Sequence, residues 1–395
     1  MDTTTLIVLA VVAGILFDIT NGWNDAANAI ATVVSTRVLS PWQALLMSAA
    51  LNFVGALISI KVATSMGSGV VNLKVDPSSV AVVLSAMVGA ASWVTWCTRL
   101  GLPISCSHAL VGGLVGAAVA VEGWGSVVWN DPVKHKGLLY ILVALLASPF
   151  IGFVVGYLLL VACTWIARRA TPSRGHRVFG WLQLGSASFM AFEHGQNDAQ
   201  KVMGVLALAL FVGGFLRKDG HVVTDIKELY IPVWIILSCA AAMAFGTAVG
   251  GWRVIRTMGS KLAKISTTEG FAAETGGGVV LQIAASLGIP VSTTHTITGS
   301  IVGVGTAKGA RAVKWGIGAK IVYAWVFTLP MSFLFGGVLS WFAALASPFA
   351  MVSAVAVVSS AVFLIPGLVR RAARSRMATV AAAAASGPAP GAPRA

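Results

Sequence analysis

Apolar runs recur along this chain from one end to the other, each near the roughly 20 residues that a helix needs to cross a bilayer. They fall at about 4–36, 41–64, 78–97, 104–121 and 138–166, then at 179–215, 230–252, 269–287, 295–307, 315–343 and 347–369. A soluble core cannot hide so many. Only 10% of the residues are charged, where a soluble domain carries about a quarter. Backbone groups in hydrocarbon must be satisfied within the fold, and these runs are too long and continuous for barrel strands. The expected fold class is therefore an all-α membrane protein, a polytopic helical bundle.

The formal net charge of +14 does not imply a nucleic-acid partner, because the basic residues sit in short clusters between the apolar runs. Arg168, Arg169, Arg174 and Arg177 form one cluster, and Arg253, Arg256, Lys261 and Lys264 a second. Lys308, Arg311, Lys314 and Lys320 form a third, and Arg370, Arg371, Arg374 and Arg376 a fourth. An even number of crossings separates successive clusters, so all four are expected on the cytoplasmic side, with the N-terminus outside. Lys74, Lys134, Lys136, Arg217, Lys218 and Lys227 then lie outside, mostly near the acids Asp76, Asp131, Asp219, Asp225 and Glu228. Cys97, Cys106, Cys163 and Cys239 are scattered through apolar segments without metal or disulfide spacing and read as packing residues. Residues 4–17 follow Asp2 rather than a basic region, so they read as the first span and not a secretion signal.

Two motifs recur in the same order. Gly22-Trp23-Asn24-Asp25-Ala26 matches Gly195-Gln196-Asn197-Asp198-Ala199. Gly101-Leu102-Pro103-Ile104-Ser105-Cys106-Ser107-His108 matches Gly288-Ile289-Pro290-Val291-Ser292-Thr293-Thr294-His295, with Gly112/Gly299 and Gly116/Gly303 beyond. The first copy starts outside and the second in the cytoplasm, which makes the repeats inverted, a signature of secondary transporters with a site near the midplane. The expected organisation is a first repeat at 1–166, a basic cytoplasmic linker at 167–178 and a second repeat at 179–345. An additional membrane helix follows at 346–370, then a basic and Ala/Gly/Pro-rich disordered tail at 371–395, also cytoplasmic.

A carboxylate at the centre of a membrane helix costs about 2.5–3.5 kcal/mol. Asp25 and Asp198, at equivalent positions, therefore call for partners, cations or water. Asn24, Asn28, Asn197 and Gln200 supply oxygens beside them, and helix interruptions at Gly22 and Gly195 would free carbonyls. Such a set suits Na⁺, while either Asp alone can bind a proton. The plainer alternative is a buried pair that only packs helices, or an Asp satisfied by Lys201. In the Gly-x-Pro-x-Ser elements, Ser105 and Ser292 are suited to cap helices in re-entrant-type hairpins. The exposed helix starts, with Ser107, Thr293 and Thr294, offer converging donors for an oxyanion; two capped tight turns are the plainer reading. His108 and His295 read first as structural. Glu193 and His194 are candidates for a proton relay, and Glu274 is a coupling carboxylate with an apolar equivalent in the first half. Asp18 is a further ion or proton group, and Arg99 attracts an anion or snorkels.

At these residues the chain resembles the PiT (inorganic phosphate transporter) family of phosphate permeases. The resemblance rests on the duplicated motif Gly22 to Ala29, repeated as His194 to Lys201, and on the hairpins Pro103 to His108 and Pro290 to His295. It implies an inverted-repeat transporter, often a homodimer, that cotransports phosphate with H⁺ or Na⁺ and needs no other cofactor. Carried over, the family roles place cations at Asn24, Asp25, Asn197 and Asp198, and phosphate near the hairpin Ser and Thr residues. Trp23 stands where a small residue is usual, and Cys106-Ser107 replaces Thr-Thr. A thiol is the weaker donor, so the first hairpin is expected to contribute less to anion binding.

The leading expectation is uptake of inorganic phosphate, alone or as a metal complex, by symport with a cation. Sulfate or another tetrahedral oxyanion is the alternative cargo. The chain carries no nucleophile elbow, no phosphate-binding Gly-x-x-x-x-Gly-Lys loop and no HExxH, so an enzyme is not expected. An anion channel would not accumulate its ion against a gradient.

Overall fold

The computed structural model describes residues 2–130 and 137–345. The expected helix at 346–370, the tail at 371–395 with its Arg370–Arg376 cluster, and Asp131, Lys134 and Lys136 lie outside the described residues. Among those described, the chain forms twelve α-helices. The first half comprises α1 (Thr3–Ser35), α2 (Pro41–Ala56), α3 (Lys61–Gly69), α4 (Pro77–Leu100), α5 (Cys106–Glu122) and α6 (Leu138–Ala167). The second comprises α7 (Pro172–Val212), α8 (Val233–Val249), α9 (Trp252–Arg256, prolonged by a π-helical turn Thr257–Leu262), α10 (Thr267–Ser286), α11 (Thr293–Ala307) and α12 (Trp315–Ala344).

Local chemistry sets the ends of these helices. Asp2 caps α1 through the Thr5 amide, and Asp76 caps α4 through that of Ser78. Those Ser78 hydrogen bonds hold the exposed Asp76 carboxyl below its usual range. Prolines open α2, α4 and α7, where a missing N–H costs nothing. Gly101 and Gly288 take φ of 75° and 69° at the hairpin turns, a region that side chains with a Cβ avoid.

Polarity is distributed inside out relative to a soluble protein. Phe150, Ile166 and Trp181 are each more than 70% exposed, whereas Asp18, Asn24, Asp25, Asn197 and Asp198 are at most 1% exposed. The outer face of α6 and α12 is therefore a lipid-facing surface, and the polar groups line the interior. The chain is a multi-pass membrane protein.

The two halves exchange partners in matched pairs. α1 packs on α8 as α7 packs on α2, α4 on α1 as α10 on α7, and α5 on α12 as α11 on α6. Repeat-equivalent glycines make these contacts. A Cβ at Gly112 or Gly116 would meet backbone of Leu329 or Phe333, and at Gly299 or Gly303 that of Pro149 or Phe153. The Arg253 guanidinium donates to the Arg99 carbonyl at the end of α4, and Lys61 Nζ donates at 3.1 Å to the Ser286 carbonyl at the end of α10. Cations thus cap the negative ends of both long hairpin helices.

The expected interruptions at Gly22 and Gly195 are not found, because α1 and α7 run unbroken through both motifs. These glycines are contact points instead. A Cβ at Gly22 would strike the Met243 carbonyl of α8, and one at Gly195 the Asn52 carbonyl of α2. The broken helices lie elsewhere. α2 and α3 meet at 71°, and α8 and α9 at 60°, in runs that read as the continuous spans 41–64 and 230–252.

Candidate functional site

The two Asn-Asp motifs meet the two hairpin starts in one buried cluster. Because α1 and α7 pack against each other, Asp25 and Asp198 come to the same interior region. α11 presents its first turn there. Thr294 Oγ1 donates to Asp25 Oδ1 at 3.1 Å, and Thr293 Oγ1 donates to Asp198 Oδ2 at 2.6 Å. Asn28 Nδ2 donates to both hydroxyls, at 3.0 Å to Thr294 and 3.3 Å to Thr293. From the first hairpin, Ser107 Oγ accepts a hydrogen bond from Lys201 Nζ at 2.6 Å, and the Cys106 thiol lies against Asp25. Lys201 also pairs with Asp198 and donates to the Val291 carbonyl at 2.6 Å.

His194 sits between the acids, its Nε2 3.3 Å from Asp198 Oδ2 and 4.0 Å from Asp25 Oδ2. A short chain of hydrogen bonds orients the ring. Thr247 donates its hydroxyl to the Met243 carbonyl, so it accepts from Asn52 Nδ2 at 2.8 Å. Asn52 Oδ1 then faces His194 Nδ1 at 3.1 Å, which places a proton on Nδ1. Any hydrogen bond between Nε2 and Asp198 needs a second proton on one of the two groups. The cluster can therefore hold a proton, and Asp25, His194 and Asp198 also offer ligand atoms within 4.8 Å of one another for a metal ion.

Other expected residues do different work. Gln200, expected beside a cation, directs its Oε1 at the amides of Val62 and Ala63 and so caps the start of α3. The amide nitrogens of Asn24 and Asn197 do not donate to the acids: Asn24 Nδ2 donates to Thr98, and Asn197 Nδ2 to the carbonyls of Glu193 and Leu281. Ser105 and Ser292 cap α5 and α11, each accepting from the amide three residues on at 3.2 Å. Glu193, expected to form a relay with His194, makes no hydrogen bond to it. Adjacent positions on a helix point about 100° apart, and neither Glu193 oxygen has a hydrogen-bond partner among the described residues.

Glu274 forms a separate buried site, accepting from Ser186 Oγ at 2.5 Å, from Gln183 Nε2 at 3.3 Å and from Thr32. Thr32 lies two helical turns from Asp25, about 10 Å along α1. His108 and His295 face each other with ring centroids 4.6 Å apart, and His295 also packs on Trp325 at 3.9 Å. Beside the first hairpin, Arg253, Arg256 and Lys261 line a cleft of about 310 Å³ together with Gly101 and Trp252.

Sequence reasoning missed Asn52, Gln183 and Ser186, because single polar residues in apolar runs carry no spacing signal. Lys201 is legible in the sequence as a cation inside an apolar span, where it reads as a neutralising partner.

A sequence profile described as "Phosphate transporter family" matches residues 21–336. A Rhizobium meliloti protein described as "Probable low-affinity inorganic phosphate transporter" is 46% identical over 87% of this chain and 99% of its own length. A Bacillus subtilis protein of the same description is 36% identical over 84% of this chain and 96% of its own. Among solved structures, "The sodium-dependent phosphate transporter" superposes with a TM-score of 0.76 at 22% identity, covering 87% of this chain and 100% of that one. That likeness concerns the fold.

Proposed function

Because the chain belongs to the phosphate transporter family, we propose that it takes up inorganic phosphate by symport with a cation, H⁺ or Na⁺. The observation that carries this reading is the convergence of Asp25 and Asp198 with the hairpin hydroxyls of Thr294 and Thr293. Those hydroxyls are donors suited to phosphate oxygens, yet they point at a carboxylate. Two unit charges about 4 Å apart repel by about 4 kcal/mol at an effective dielectric constant near 20. That is close to a thousandfold in affinity. Phosphate binding beside Asp25 is therefore conditional on a proton or cation that cancels its charge, and this linkage is the coupling.

The inverted orientation of the halves belongs to the same reading, with the N-terminus outside and the basic linker in the cytoplasm. Ser105, Ser107 and Ser292 complete the phosphate shell only if their present hydrogen bonds rearrange. Glu274 serves as a second station for the coupling cation.

Reconstituted vesicles test the proposal. With Na⁺ and pH gradients imposed separately, phosphate is expected to accumulate inside under at least one. Uptake that only equilibrates would make the protein a channel. Sulfate in excess is expected to compete weakly, because it brings no proton at neutral pH. Sulfate uptake that phosphate fails to inhibit would assign the other cargo.

A second reading draws on the ligand atoms of Asp25, His194 and Asp198, which support entry of phosphate as a divalent-metal complex. It predicts that a chelator lowers uptake and that added Mg²⁺ restores it.

A further inference from the structure

Positions 28 and 201 are the same place in the two motif copies, Asn24-Asp25-Ala26-Ala27-Asn28 and Asn197-Asp198-Ala199-Gln200-Lys201. Ser107 and Thr294 are likewise equivalent in the two hairpins. The fold assembles these residues into two cradles of one plan. In the first, Thr294 donates to Asp25 and accepts from Asn28. In the second, Lys201 bridges Ser107 and Asp198. The cradles differ by one whole charge. Asp198 has an ammonium against it, whereas among the described residues the ion-pair partner that approaches Asp25 is His194, at 4.0 Å.

Coordination points the same way. An ammonium has three N–H donors and no acceptor. Those of Lys201 meet Asp198, Ser107 Oγ and the Val291 carbonyl, which accounts for all three and leaves none for an anion. Oxygen atoms of this kind are also what a hard cation takes as ligands. In the first cradle the buried Oδ1 of Asn28 has no hydrogen-bond partner among the described residues, so an oxygen remains available there that Lys201 cannot offer in the second.

We propose that Lys201 is a resident cation: its ammonium fills, in the second cradle, the place that an exchangeable cation takes beside Asp25 in the first. Only one of two symmetry-related cation places is then exchangeable, and each turnover carries one cation fewer through this pair than a chain with Asn at both positions would. This inference rests on the symport reading above.

Lys201→Asn, which copies Asn28 into the second cradle, is the test. In vesicles it is expected to raise the stimulation of phosphate uptake by external Na⁺ on the order of tenfold over the parent chain, the ordinary size of a coupling between two bound ligands. The purified variant is expected to melt higher in NaCl than in choline chloride, by a wider margin than the parent chain. Lys201→Met, which offers neither charge nor oxygen, is expected to lose uptake at every Na⁺ concentration. A raised KM for phosphate with unchanged cation dependence in Lys201→Asn would instead make Lys201 a phosphate ligand and overturn the proposal. So would Asn and Met variants that behave alike in both measurements. Should Lys201→Asn fail to fold, Lys201→Gln keeps the amide oxygen and is read by the same criteria. Parent-chain uptake that ignores every imposed cation gradient would overturn the symport reading. Coupled parent-chain uptake with variants that keep its cation dependence would overturn the resident-cation proposal alone.

Discussion

Thr293 and Ser105 both stand at hairpin starts, one position apart in the repeat register, and they do different things. Thr293 donates to Asp198 and accepts from Asn28, while Ser105 caps its own helix. Thr293→Val is therefore expected to raise the KM for phosphate about tenfold, the equivalent of about 1.4 kcal/mol. Ser105→Ala is expected to lose about 1 kcal/mol of stability with little change in KM. Uptake kinetics and thermal melting of the purified variants separate the two, and equal KM effects would reject the assignment. Asn52→Ala removes the group that orients His194, so the pH profile of uptake should shift while maximal uptake at the optimum is largely kept. An unchanged profile would make Asn52 mere packing. At this scale the sequence was informative where a polar residue belongs to a repeat. Asp25, Asp198, Asn28, Ser107, Thr293 and Thr294 come together as their repetition suggested. Gln200 misled because sharing a motif with Asp198 does not mean sharing a helix face; its oxygen meets the start of α3.

At the scale of elements, the motif helices remain continuous because their glycines face neighbouring backbones rather than freeing their own. Gly22→Val and Gly195→Val should each force α1 from α8 or α7 from α2, at about 1–3 kcal/mol or more for such overpacking. The yield of monodisperse detergent-solubilised protein is the check, and normal yield with normal melting would contradict the close approach. The run boundaries were legible, since α4, α6, α10 and α12 begin and end close to where the apolar pattern does. The bends after α2 and α8 were not. Residues 57–60 remain apolar or weakly polar across the break, so hydropathy alone gives no sign that the chain turns there. The Gly250-Gly251 pair did offer a turn signal, but it sat at the end of a run already read as a span.

For the whole molecule, apolar exposure outside and polar burial within place Asp25, Asp198 and Lys201 where water is scarce and charge must be balanced locally. The sidedness of the proposal is open to direct labelling, since all four native cysteines are buried. A cysteine placed at Lys218 should react with an impermeant maleimide on intact cells, and one at Arg169 only after permeabilisation; the reverse pattern would invert the topology. In the proposed coupling, the charge of Asp25 makes phosphate binding wait for a cation. Its most direct measurement is the phosphate affinity of purified protein as Na⁺ and H⁺ concentrations are varied, for the parent chain and for Asp25→Asn. Affinity should rise with one of these cations in the parent chain and be independent of both in Asp25→Asn. Cation-dependent phosphate binding that persists undiminished in Asp25→Asn would contradict it.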